Sequence, residues 1–133
     1  MTVTNRQIAT AHAALNALFN MKLPDGSSQY PLIRFAQKYN PVADAYIAAE
    51  RAISEKFVAF DDEAGAFRFE NGRPVLKEGA SRTDYDAELK RLQDMDADIQ
   101  FKPLPWSIFK GVEIEPVILL AIDWALEVAA DDQ

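Results

Sequence analysis

The chain has 133 residues, no cysteine, a single histidine, 49% apolar residues and a net charge of −7. That is one domain's worth, residues 1–133, able to bury about two-thirds of its unfolded surface. The composition excludes disulfide scaffolds, thiolate metal sites, a thiol nucleophile and a multi-histidine metal site, and the acidic balance argues against general binding to nucleic acid or anionic membranes. The first helix should begin after Thr4. Thr4-Asn5-Arg6-Gln7 has the capping-box form, and Ile8, Ala11, Leu15, Leu18 and Phe19 then share one face. His12 lies beside that stripe, and Leu23-Pro24-Asp25-Gly26 stops the helix.

A second helical start is expected at Ser28 and Pro31, since proline suits a first turn. Its stripe runs Leu32, Phe35, Tyr39, Val42, Tyr46, Ala49, Ile53, Phe57 and Phe60. Pro41 interrupts the hydrogen bonding but not the phase of the stripe, so a long kinked helix is favoured over a break. Phe67 and Phe69 alternate with Arg68, and Asn71-Gly72 follows, the strongest short hairpin signal. Pro74 cannot donate to a ladder, which makes its strand an edge. Ser81 or Thr83 caps a third helix with Tyr85, Leu89 and Leu92 on its apolar face. Ile99 and Phe101 alternate with Gln100 and Lys102, which predicts a third strand ended by Pro103 and Pro105. Trp106–Phe109 reads as a short turn before Gly111. Pro116 opens a last helix that is apolar on nearly all sides to Ala130, with fraying expected at Asp131 and Asp132. Such a helix is either central in the core or half covered by another chain.

No basic flank with an apolar run marks a signal peptide at the start. The apolar stretch after Pro116 covers about 14 residues, fewer than the 17–25 that cross a bilayer. A soluble, intracellular protein is the expectation. The charge is uneven: residues 1–60 hold six cations against four carboxylates, and the remainder holds eight against seventeen. A solvated acidic face explains this most simply, and an acidic patch that docks on a basic partner is the sharper alternative.

Few constellations carry chemistry. Asp94, Asp96 and Asp98 open like a calcium loop, but Ile99 stands where the loop needs glycine and Pro105 where it needs glutamate. They read as acidic surface, with a shared divalent cation as the alternative. Asp61, Asp62 and Glu63 read as a polar loop. His12 has no serine, acid or second histidine one turn away, so it reads as a boundary residue of a packed helix rather than a base. Most aromatics fall on inner faces. Phe67 and Phe69 lie on one face of a ribbon that is marginal unless packed on something, either the domain's own helices or a partner. No phosphate loop, nucleophile elbow, HExxH or dinucleotide fingerprint is present, and no cofactor is expected.

Asn5-Arg6-Gln7-Ile8, Ala13-Ala14-Leu15 and Met21-Lys22-Leu23-Pro24 resemble the N-terminal signature of a family of small tailed-phage and prophage proteins, a domain of unknown function. Ala49-Glu50-Arg51, Glu55-Lys56-Phe57, the Asn71-Gly72 hairpin, Asp86-Ala87-Glu88-Leu89, Ile99–Pro105 and Gly111-Val112-Glu113-Ile114 resemble its later segments. Asp25–Pro31 departs from it. The resemblance implies phage or prophage origin and a virion-associated, assembly or host-interaction role, in the cytoplasm of the host cell or in the particle. It carries no activity.

The expected fold is α+β: a mainly helical core with a long kinked helix and a small antiparallel hairpin or three-stranded sheet. The leading expectation is a non-enzymatic interaction protein with a protein partner, no direct nucleic acid, no membrane, and self-association through the last helix. Its candidate contact residues are Phe67, Phe69, Asp94, Asp96, Asp98 and Trp124. An acidic inhibitor of a host nucleic-acid-binding protein, imitating phosphates, is the first alternative. A small hydrolase using Asp94, Asp96 or Asp98 with a metal is the second.

Overall fold

The first helix, α1, spans Asn5–Phe19 because its start is locked locally. The Thr4 hydroxyl accepts from the Gln7 backbone N–H at 3.3 Å, and Gln7 Oε1 accepts from the Thr4 N–H at 2.9 Å. A cap of this kind stabilises a helix by about 1 kcal/mol. Ile8, Ala11, Leu15 and Leu18 are buried, with Phe19 half-buried beside them, as their spacing requires. The structure, a computed structural model, describes residues 2–127.

The second helix, α2, runs Gly26–Phe57 without a break. It starts two residues earlier than Ser28. Asp25 caps it, accepting from the Ser27 N–H at 3.0 Å, and this places Pro31 inside the helix rather than in its first turn. Pro31 and Pro41 leave the carbonyls of Ser27 and Gln37 without their helical donors. Both residues are exposed, so water can take those carbonyls. Leu32, Phe35, Tyr39, Ala43, Tyr46 and Phe57 are buried. Past Pro41 the buried line shifts by one, with Ala43 fully buried where Val42 was expected. At 1.5 Å per residue the helix is about 48 Å long, more than one core can cover. Its first half packs on α1 and the C-terminal segment, and its second half packs on α3 and carries the β-strands.

Those strands are short. Phe60–Asp61 (β1) pairs antiparallel with Ala66–Phe67 (β2), and Phe69–Glu70 (β3) pairs with Arg73–Pro74 (β4). The second pair closes through Asn71 (φ 53°) and Gly72 (φ 77°), the two positive φ angles of a type I′ turn. The ribbon is not one strand from 66 to 70. At Arg68 the N–H leaves for the Ala59 carbonyl while the Arg68 carbonyl receives the Val75 N–H, so each half serves a different partner. Asp61 organises the turn before β2, its Oδ1 accepting from the N–H groups of Glu63 and Ala64. The acidic run 61–63 is therefore a polar turn.

Helix α3, Arg82–Asp94, is capped by Ser81 and lies half-buried against α2 through Tyr85, Leu89 and Leu92. Two expectations fail beyond it. Ile99–Lys102 forms no strand. Ile99 takes a local bond to the Ala97 carbonyl, Pro103 has no N–H, and Leu104 pairs instead with the chain near Leu126. The last helix is also not continuous: α4 covers only Pro116–Ala121, followed by a 3-10 turn at Asp123–Ala125. The core takes Ile122, Trp124, Ala125 and Leu126. Successive helical residues point about 100° apart, so three in a row cannot all face inward, and the helix must end. The remainder of the expected helix, and the fraying at Asp131 and Asp132, lie outside the described residues.

The result is a mostly helical α+β fold with two small antiparallel sheets. One core cluster joins α1, the first half of α2, and residues of the segment 104–126 around Phe35, Tyr39 and Trp124. No helix among the described residues is long and apolar enough to cross a membrane.

Candidate interaction groove

The residues singled out by sequence do not converge. Trp124, expected at a contact surface, lies instead in the core at 7% exposure, stacked on Tyr39, tilted to Phe35 and edge-on to Phe101. Phe67 is half-buried, edge-on to Phe60 at 5.4 Å and beneath the Arg51 guanidinium at 5.5 Å. Phe69 is 61% exposed on the other sheet. Asp94 binds Arg6 at 2.9 Å and Lys90 at 2.6 Å, and these hydrogen bonds, Lys90 first, hold its carboxyl below the usual carboxylate range. Asp96 pairs through its backbone with Thr4, and Asp98 is exposed. Among the described residues no three His, Asp or Glu side chains gather at metal-binding range, so the aspartate triplet is not assembled as a cation site.

His12 sits in a polar chain. The Tyr39 hydroxyl donates to the Ile8 carbonyl at 2.8 Å, so its oxygen is left to accept from His12 Nδ1–H at 3.2 Å. Nε2 then accepts from the Asn16 amide at 3.2 Å. The carbonyl can only accept, so the hydroxyl proton goes to it and His12 Nδ1 is the donor towards Tyr39. Burial pushes the Tyr39 hydroxyl up to about 12. Nearby, Tyr46 donates to Glu50 at 2.7 Å, and burial, then that carboxylate, raises it to about 12 as well. The Tyr39 bonds tie α1 to α2, whereas the Tyr46–Glu50 bond lies within α2.

The first half of α2 also bears two grooves. One, of about 560 Å³, is lined without any charged side chain, by Phe19, Leu32, Ile33 and Pro41 among others. The other, of about 610 Å³, lies between α2 and the segment 100–105. Tyr30, Arg34 and Lys38 stand one helical turn apart along one wall, while Phe101, Lys102 and Pro103 form the other. Phe35 is the floor, with Trp124 packed behind it and behind Phe101. Tyr30 is 61% exposed. Arg34 leans on Tyr30, donating to its hydroxyl at 3.1 Å with the guanidinium 5.7 Å from the ring centre.

The electrostatics invert those of the whole protein. Among the described residues no carboxylate lines this groove, although the chain carries −7. Among the described residues, none of the ion pairs involves Arg34, Lys38 or Lys102. Arg34 and Lys38 are like charges at i,i+4, which costs an isolated helix about 0.2–0.5 kcal/mol. Three cations beside exposed aromatic rings can bind an anionic or aromatic group, in a volume typical of ligand sites. The Arg34–Lys38 spacing was the available sequence signal. Lys102 could not be joined to it, because only the tertiary fold brings residue 102 to α2.

A scan against protein-family models finds no match, and neither the curated proteins nor the solved structures give one.

Proposed function

We propose that this is a non-enzymatic interaction protein of phage or prophage type, virion-associated or assembly-related, that grips a segment of a protein partner in the groove between α2 and residues 100–105. The observation that carries this reading is the set of cations Arg34, Lys38 and Lys102, in no ion pair among the described residues, lining one groove with exposed Tyr30. Aromatic and arginine side chains are the groups that most often anchor protein interfaces. The phage setting rests on the short motifs from Asn5-Arg6-Gln7-Ile8 onward.

Site-directed cross-linking tests the reading. A photoreactive benzoylphenylalanine in place of Tyr30 should give a discrete protein adduct in host cytoplasm, and the same group in place of Arg91, on exposed α3, should not. Equal labelling at both positions, or none at Tyr30, refutes a partner in this groove.

A further inference from the structure

The wall opposite α2 has an unsatisfied backbone. Among the described residues, no backbone–backbone hydrogen bond involves Gln100, Phe101, Lys102 or Pro103, while Ile99 and Leu104 on either side are bonded. Burial alternates along it: Ile99 and Phe101 are half-buried, Gln100 and Lys102 exposed. That is the side-chain pattern of a strand with no neighbouring strand. Exposed N–H and C=O groups in such a row are a template for an added strand. Gln100, Phe101, Lys102 and Pro103 line the same groove as Arg34 and Lys38.

We infer that the groove takes an extended acidic segment of a partner protein, which adds as a strand along Gln100–Lys102, places carboxylates against Arg34, Lys38 and Lys102, and lays an apolar side chain against Tyr30 and Phe101. This rests on the reading of the groove as the partner site and names its occupant. The backbone edge supplies affinity without sequence preference, and the cations select charge. A single-stranded nucleic acid would also meet cations and rings here, but it cannot use a strand edge, and the remaining acidic surface repels a long polyanion.

A random twelve-residue peptide library selected on the immobilised full chain decides between these. Enriched sequences should carry at least a net charge of about −2 with an aromatic or aliphatic anchor. Their binding should slow hydrogen exchange at alternate amides of 100–102, either Phe101 or the Gln100 and Lys102 pair, because successive strand N–H groups point to opposite edges. Arg34→Glu and Lys102→Glu should each weaken binding about tenfold at low salt, several times more than an ordinary exposed pair. Arg91→Glu, the same change in net charge on α3, should leave it within about twofold. Circular dichroism confirms that each variant is folded. Enrichment of neutral or basic peptides, no enrichment, no protected amide in 100–102, or equal effects of the three reversals overturns the inference. So does a ten-residue oligothymidylate that binds as tightly as the best peptide. If Tyr30 cross-links to a partner while acidic peptides fail, the occupant's chemistry is wrong and the groove's role stands. If both fail, the role falls too.

Discussion

Replacing Tyr39 with phenylalanine isolates the polar chain that joins α1 to α2. The side chain is fully buried, with Phe19, Phe35 and Trp124 rings 6.0, 6.2 and 6.4 Å away, centre to centre. Phenylalanine keeps all of that packing and removes only the hydroxyl. Two hydrogen bonds disappear, the 2.8 Å bond to the Ile8 carbonyl and the 3.2 Å bond from His12. Each contributes about 0.5–1.5 kcal/mol net. The longer one is worth less, and half-buried His12 can turn to water, so the expected loss is about 1–2 kcal/mol. In a domain of this size that lowers the melting temperature by roughly 5 °C. Urea unfolding followed by far-ultraviolet circular dichroism should show a lower midpoint at unchanged slope. Nitrogen-15 shifts of His12 give an independent readout, changing from the Nδ1–H tautomer to a mixture. A variant as stable as the parent, with the histidine tautomer unaltered, would refute the chain of donors and acceptors described above.

Tyr39 and Tyr46 make the fold sensitive to alkali. Burial first, and the Glu50 carboxylate in addition for Tyr46, raises both to about 12, so the folded state prefers the neutral phenols. The unfolded chain releases these protons near 10. Stability is therefore full below pH 10 and declines as pH rises towards 12, and tyrosinate absorbance should appear together with unfolding. Tyr46→Phe should flatten that decline. Gly72→Ala should cost about 1 kcal/mol through left-handed strain: φ is 77° and the space around an added Cβ is open, so strain acts alone. Amide exchange should rise in β3 and β4 with α1 unaffected. Trp124 is the test of opposing terms, since its Nε1–H is buried with no hydrogen-bond partner among the described residues. Trp124→Phe removes that unpaired donor but leaves a void, so its net effect should be within about 1 kcal/mol in denaturant titrations. Trp124→Ala, which only empties space, should cost about 3–5 kcal/mol.

Sequence alone determined the local events. The Thr4–Gln7 cap, the buried face of α1, the persistence of α2 through Pro41, the Asn71-Gly72 turn and the Ser81 cap each depend on neighbours within a few residues, where propensity and sterics act. An α+β fold with a long helix follows from them. The third strand and the long last helix were misread because their residues answer to distant partners. Ile99–Lys102 has the alternation of a strand, but pairing needs a second chain segment, and none of the described ones takes it. Val117–Ala121 has helical composition, yet four apolar residues from Ile122 to Leu126 must face one core, and no helix can aim them there. The candidate contact residues show the same division. Trp124 looked available because hydrophobicity does not say which side is wet. Arg34, Lys38 and Lys102 were visible only as scattered charges, because a groove is a relation between segments more than sixty residues apart. Only tertiary packing could bring their like charges together in one groove.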